Sequence, residues 1–405
     1  MSLTKWISGS AISAMILSMS IQSVAAQEAG VKDFEGLTSG FEPIDEELIA
    51  TSDLFRYNSG LSFEYPDAVR GVYVTGHSAG GQRFNDLLEL MDSTELNAMV
   101  IDIKDDYGNL TYVPNEESPL QQLDIGKPYI KDPKAMLKTM EEKQIYPIAR
   151  VVVFKDSVLA QKKPELSYVE GNEVWKNGRG ESFVNPFLKE VWDHNVEIAI
   201  EAAKMGFQEI QFDYVRFPEG FEKREEVLNY GMGEYTDSEL DSVQRRVEAV
   251  TDFVAYAREQ LKPYDVKVSV DIFGYSATLP EAPGIGQNFS KISENVDVIS
   301  SMIYPSHWTS YFGIAKPDLE PYRLVKEYAK VENEKLSELE SPPISRPWLQ
   351  DFTASYLGAG NYQKYGKEEV EAQIRALNEA GINEFLLWNS GNRYSKNVDY
   401  TPTNE

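Results

Sequence analysis

The stretch QEIQFDYVRFPEG, residues 208–220, sets Asp213 and Arg216 into what otherwise has the composition of a buried strand. Asp271 interrupts VKVSVDIFG, residues 266–274, in the same way, and Asp102 interrupts NAMVIDIKD, residues 97–105. Two carboxyl groups brought to one cleft can divide acid–base labour, one protonating a leaving oxygen while the other attacks carbon or activates water. An arginine close by can orient a carboxylate or contact a ligand through its planar fork.

Such residues need strands to aim them. Side chains alternate along a strand, so a barrel strand shows apolar residues to its helices and can point polar ones into the lumen. In 266–274, Val268, Val270 and Ile272 form the apolar set and leave Ser269 and Asp271 on the other face. Met99, Ile101 and Ile103 likewise oppose Asp102 and Lys104, and Ile210, Phe212 and Tyr214 oppose Gln211 and Asp213. The same parity makes Arg150 of YPIARVVVF, residues 146–154, an inward cation. Each of these charges, buried singly, would cost several kcal/mol, so they must be paired or lie at a wet mouth. Asp102, Lys104 and Arg150 suit an internal ion network that fills a barrel as well as they suit a site. Asp213 and Asp271 lie near the carboxyl ends of their runs, the rim where barrel enzymes place their chemistry.

Eight runs have strand length and composition: RGVYVTG (70–76), 97–105, 146–154, EIQFDYVRF (209–217), 266–274, DVISSMIYP (297–305), RPWLQDFT (346–353) and EFLLWNSG (384–391). Amphipathic stretches such as PKAMLKTMEEK, KEVWDHNVEIAIEAAKMG and SVQRRVEAVTDFVAYAREQL lie between them, with Gly206 and Gly381 where C-terminal caps belong. This alternation predicts an α/β fold of the (β/α)8 TIM-barrel type with long βα loops. An open doubly wound sheet would be expected to carry a glycine-rich phosphate turn, and THSAGGQRF is not G-x-G-x-x-G. Gly76-His77-Ser78-Ala79-Gly80 has the spacing of a serine nucleophile elbow. It follows the first strand, and no triad order accompanies it, so a glycine-rich βα turn is the reading adopted.

The N-terminus combines Lys5, a mixed apolar core from Ile12 to Ile21 and small residues up to Ala26. It reads as a signal peptide over 1–26, too short and too broken by serine to span a bilayer well. A strap at 27–68, acidic and weakly periodic, precedes the barrel at 69–395, and a tail occupies 396–405. The expected location is extracellular or at the cell envelope, with no membrane partner after cleavage. Sixty-five acids against 39 bases give a formal charge of −26, which repels nucleic-acid phosphates and argues against such partners. With no cysteine, the chain has no disulfide, thiol nucleophile or Cys-ligated metal.

The pieces VVVFKD (151–156), WKNGRGESFVNP (175–186), GFQEIQFDYVRFP (206–218), DIFG (271–274), MIYPSHW (302–308), RPWLQDF (346–352) and LLWNSGN (386–392) cover nearly the whole barrel in order. In them the chain resembles a family of secreted bacterial glycoside hydrolases, long catalogued as a domain of unknown function with a (β/α)8 barrel. More distantly its layout is similar to the α-amylase family, whose nucleophile Asp ends the fourth strand, acid/base Glu the fifth and a further Asp the seventh. That resemblance implies roles for Asp213, Asp271 and Asp351. Here the fifth-strand acid is Asp, the fourth-strand Arg follows its Asp, and the parity of WLQDF leaves open whether Gln350 or Asp351 faces the lumen.

The expected chemistry is cleavage of a glycosidic bond in a poly- or oligosaccharide. Asp213 serves as nucleophile or base, Asp271 as general acid, and Asp102 or Asp351 as stabiliser. Asp105, Asp106 and Glu219 stand in reserve, with ordinary surface charge as their favoured reading. A sugar also needs flat apolar platforms beside polar groups. Trp175 and Phe183 after the third strand, Tyr304, His307, Trp308 and Tyr311 after the sixth, and Trp388 with Asn389 at the eighth supply candidates. Tyr214, Arg216 and Gln350 complete the expected substrate-binding set. No cofactor or metal is expected. A non-catalytic carbohydrate-binding or cell-envelope barrel is the principal alternative. A metal-dependent sugar deacetylase, with His77 or His307 joining Asp102 or Asp271 around zinc, comes third because no H-x-x-x-H spacing is present.

Overall fold

A computed structural model describes residues 56–401, so the expected leader at 1–26 and most of the strap lie outside the described residues. Eight parallel strands form the centre: β1 Arg70–Val74, β2 Ala98–Lys104, β3 Tyr146–Val152, β4 Glu209–Asp213, β5 Lys267–Phe273, β6 Val298–Met302, β7 Trp348–Gln350 and β8 Phe385–Trp388. They neighbour one another in chain order, β8 pairs with β1, and the contact of Met302 with Trp348 joins β6 to β7 and closes the barrel. Each lies within one of the eight runs predicted from sequence. The helices α1 Gln82–Asp92, α2 Pro133–Glu142, α3 Lys189–Met205, α4 Ser242–Leu261, α5 Phe289–Ser293, α6 Pro321–Ser337 and α7 Lys367–Glu379 occupy the successive crossovers.

The two-residue period of the strands separates two cores. Val72, Met99, Ile101, Ile210, Phe212, Val268 and Val270 pack outward with Leu137, Val250, Phe253 and Ile374 of the helices. Tyr73, Val100, Ile148, Trp348 and Leu386 pack inward as a smaller lumen cluster. Helix starts carry their own caps: Asp132 Oδ1 accepts the Ala135 N–H at 2.9 Å, and Asp241 Oδ1 accepts those of Val243 and Gln244. Gly206 ends α3 at φ +119°, and a Cβ there would lie 2.6 Å from Leu61 Cδ1. Both the left-handed backbone and the close approach require glycine.

The amino-terminal end of the barrel is closed by charge. Arg346 donates to Glu209 at 2.8 and 3.0 Å, to Glu384 at 2.7 Å and to the Tyr65 hydroxyl at 2.9 Å. Tyr65 belongs to the described end of the strap, which is also tied down where the Ser62 and Glu64 amides donate to Glu141 and Gln144. At the other end of the chain, Val398 and Tyr400 are buried in the outer core.

One expected lumen charge lies elsewhere. The β2–β3 register shifts between Asp102, opposite Arg150, and Lys104, opposite Val151. This irregularity breaks the alternation, and Lys104 Nζ reaches Asp156 Oδ2 at 2.6 Å and Asn195 Oδ1 of α3 at 2.8 Å. Lys104 therefore forms no part of the ion network around Arg150.

Candidate active site

Residues of five strands meet at a single guanidinium. Arg150, from β3, is 1% exposed. Its Nη1 donates to Asp102 Oδ1 at 2.6 Å, its Nη2 to Asp106 Oδ1 at 2.8 Å, and its Nε and Nη2 to Asp213 Oδ2 at 2.9 and 2.6 Å. The register places Arg150 directly between Asp102 and Gln211, and sets Asp213 opposite Val152 at the strand ends. Below it, Tyr73 of β1 donates its hydroxyl to Asp102 Oδ2 at 2.5 Å and stacks on Trp388 of β8 with ring centroids 4.0 Å apart. The guanidinium carbon lies 5.5 and 5.4 Å from those two rings. Burial pushes the Asp102 carboxyl up to about 6 against the pull of Arg150. Desolvation also disfavours the charge of Asp106, but Arg150 and Lys155 outweigh it, and its pKa is lowered.

At Asp213 the strand stops. Tyr214 takes φ +53°, a backbone region that costs a non-glycine residue about 1–3 kcal/mol. The turn brings the Tyr214 N–H to Asp213 Oδ1 at 2.6 Å. Asp213 therefore accepts three hydrogen bonds, two of them from a cation.

Among the described residues, no cation forms an ion pair with Asp271 on the neighbouring β5. The indole N–H of Trp348 donates to its Oδ1 at 2.7 Å. Burial first, and the charge of Asp213 second, hold the Asp271 carboxyl well above the usual carboxylate range, with Trp348 and Arg150 offsetting part of the rise. Gly274 lets the end of β5 approach its neighbour, since a Cβ there would meet the Met302 carbonyl at 2.7 Å and Trp308 Cζ2 at 3.0 Å.

Asp213 and Asp271 open into one cavity of about 560 Å³ at the carboxyl ends of the strands. Among the expected residues, Tyr214, Arg216, Tyr304, His307, Trp308 and Trp388 also line it. Asp102 lies beneath, behind Arg150. Asp351 is turned away: its carboxylate accepts the Ser395 N–H at 2.8 Å and hydroxyl at 2.6 Å, on the opposite side of β7 from Trp348. Gln350 is buried against Asp318, Ser306 and Gln373. Asn389 braces the Asp351 and Arg393 carbonyls, and Trp175 packs edge-on to Tyr168. None of these four lines the cavity. His77 packs at a tilt against Tyr129 in the first βα turn, where the Ser78 amide donates to Thr75 Oγ1, and neither His77 nor Ser78 lines the cavity. Asp106 and Glu219, read from sequence as surface charge, do line it, as do Phe273, Tyr275 and Trp348. Strand parity around Trp348 and Tyr73 carried a usable signal, because each alternates with an outward aliphatic neighbour; Asp106 lies past the irregularity of β2, where parity fails.

A family model described as "Putative glycosyl hydrolase domain" matches residues 71–394, which span all eight strands. No curated protein matches the chain. Among solved structures, a hypothetical protein from Ruminiclostridium thermocellum is 34% identical over 49% of this chain and 96% of that one, with a TM-score of 0.43. The glycoside hydrolase domain of PgaB (BpsB) from Bordetella bronchiseptica is 15% identical over 81% of this chain and 95% of that one, with a TM-score of 0.54, a likeness of fold. An alpha-amylase from Lactobacillus plantarum is 14% identical over 80% of this chain and 71% of that one, with a TM-score of 0.48. By the extent of the family match, this chain belongs to the glycosyl hydrolase domain family.

Proposed function

We propose that this glycoside hydrolase cleaves a poly- or oligosaccharide with Asp271 as general acid and Asp213 as nucleophile or base. One observation carries the reading: two carboxyl groups on adjacent strands share a cavity but have opposite partners, a guanidinium at Asp213 and an uncharged indole at Asp271. Environments that separate two carboxyl groups in this way assign acid and base. Asp271 retains its proton and delivers it to the leaving oxygen. Positive charge then grows at the anomeric carbon, and Asp213 attacks it or activates water. Arg150 pairs with three carboxyl groups and holds Asp213 in place. Trp308, Trp388 and Tyr304 offer apolar faces to a sugar ring.

Release of reducing ends from a panel of cell-wall and plant polysaccharides tests the reading, with EDTA added to one series. Reducing-end release that survives EDTA supports it; acetate release without new reducing ends, lost with EDTA and rescued by zinc, supports a metal-dependent deacetylase. Binding without turnover on every polymer supports a carbohydrate-binding barrel. Export, motivated by the pattern from Lys5 to Ala26, predicts a mature N-terminus at or near Gln27. Among the described residues no helix is long and apolar enough to cross a membrane.

A further inference from the structure

The cavity contains three arginines, and two have carboxylate partners. Arg150 is held by Asp102, Asp106 and Asp213, and Arg179 by Glu181 and Glu219. Arg216 is different. It is 4% exposed and lines the cavity, yet among the described residues no Asp or Glu forms an ion pair with it. Its Nη1 donates to the carbonyl of Phe217 at 3.1 Å. The guanidinium otherwise lies against the rings of Phe273, Tyr214 and Phe183, at 4.7, 4.8 and 5.9 Å from their centroids.

Aromatic faces return less than the desolvation of a buried cation costs. A guanidinium carries five N–H donors in a fixed planar fork, and a carbonyl occupies one of them. Arg216 lines the same cavity of about 560 Å³ as Asp213. Neutral hydroxyls could satisfy the hydrogen bonds but would leave the charge unpaired. A planar carboxylate satisfies both through two parallel bonds.

We propose that Arg216 recognises a carboxylate on the glycan, so that the substrate of this cleft is an acidic saccharide. This rests on the reading of the cavity as a saccharide site. Two kinds of sugar supply the group: a uronic acid, whose carboxylate is on the ring, and a muramic-type sugar, whose carboxylate is on a lactyl ether. The protein's overall charge of −26 opposes any polyanion at long range, so acceptance of such a chain depends on local cations of this kind.

The test is calorimetric binding of matched ligand pairs to the folded full chain. One pair is tetragalacturonate and its carboxyl-reduced counterpart. The other is N-acetylglucosaminyl-N-acetylmuramic acid and its lactyl methyl ester. In at least one pair the acid should bind about ten- to a hundredfold more tightly than its neutral partner, as a charged hydrogen-bonded pair would provide, and the pair that shows the preference identifies the source. Arg216→Gln should erase that difference and Arg216→Lys should keep part of it, both read on variants whose melting curves remain cooperative. Equal affinity within both pairs, no binding of any of the four, or a preference that persists in Arg216→Gln would overturn the proposal. Turnover is read separately: an acid preference without hydrolysis removes the catalytic assignment and keeps the ligand class, whereas hydrolysis of neutral chains without an acid preference does the reverse.

Discussion

Arg150 and Asp213 are joined twice, with Nε and Nη2 both donating to Oδ2, and the same guanidinium also holds Asp102 and Asp106. A single buried cation thus sets the position of the carboxylate proposed to act on the sugar. Arg150→Met keeps much of the volume and strands Asp102 and Asp213 without a counterion. It should lower stability by about 3–5 kcal/mol in urea unfolding. Arg150→Lys should recover part of that loss but not turnover, because a point charge cannot hold three carboxylates in the geometry of a fork.

The pH profile tests the acid. Asp271 must carry its proton, and its folded pKa is raised, so kcat/KM should fall as pH rises through that pKa. The indole N–H of Trp348 offsets part of the rise. Trp348→Phe removes that donor, and the alkaline limb should move to higher pH. A limb that moves to lower pH would contradict the role of the Trp348 contact.

Asp102 links stability to pH. Its carboxyl is raised to about 6, above the value of about 3.9 expected when unfolded, so the folded state binds its proton more tightly. Its contribution is fully present below about pH 4 and is lost as pH rises through about 6, an effect of the order of 3 kcal/mol. Relative to Asp102→Asn, the parent protein should therefore be more favoured at pH 4.5 than at pH 7 in parallel unfolding curves.

Asp351 separates this cleft from the α-amylase layout. Its bonds run to Ser395, away from the cavity. Asp351→Asn should leave kcat within a few-fold and cost about 1 kcal/mol through the weakened loop contact. A loss of turnover by orders of magnitude with stability intact would return Asp351 to the chemistry.

Much of this was legible in the residues. Runs such as VKVSVDIFG carry both strand propensity and a parity that puts Asp271 inward, and the same parity finds Asp213 and Arg150. Local alternation cannot register an irregularity, which is why Lys104 is found against α3 and Asp156 instead of in the lumen. Nor could it orient WLQDF, where Trp348 reaches Asp271 in the cavity while Gln350 bonds to Asp318 and Asp351 to Ser395 outside it. Trp348 is a contact of Asp271 across the barrel, a relation between distant segments that spacing along the chain does not encode.

The most direct test of the account is the steady-state comparison of Asp213→Asn with the parent protein on whichever saccharide the panel identifies. The substitution keeps size and much of the hydrogen bonding but removes the negative charge needed as the sugar becomes cationic. An interaction made chiefly in the transition state affects turnover more than affinity. The account predicts that kcat falls by about a thousandfold or more, equivalent to about 4 kcal/mol, while saccharide affinity changes only a few-fold. A folded Asp213→Asn protein with undiminished turnover would contradict it.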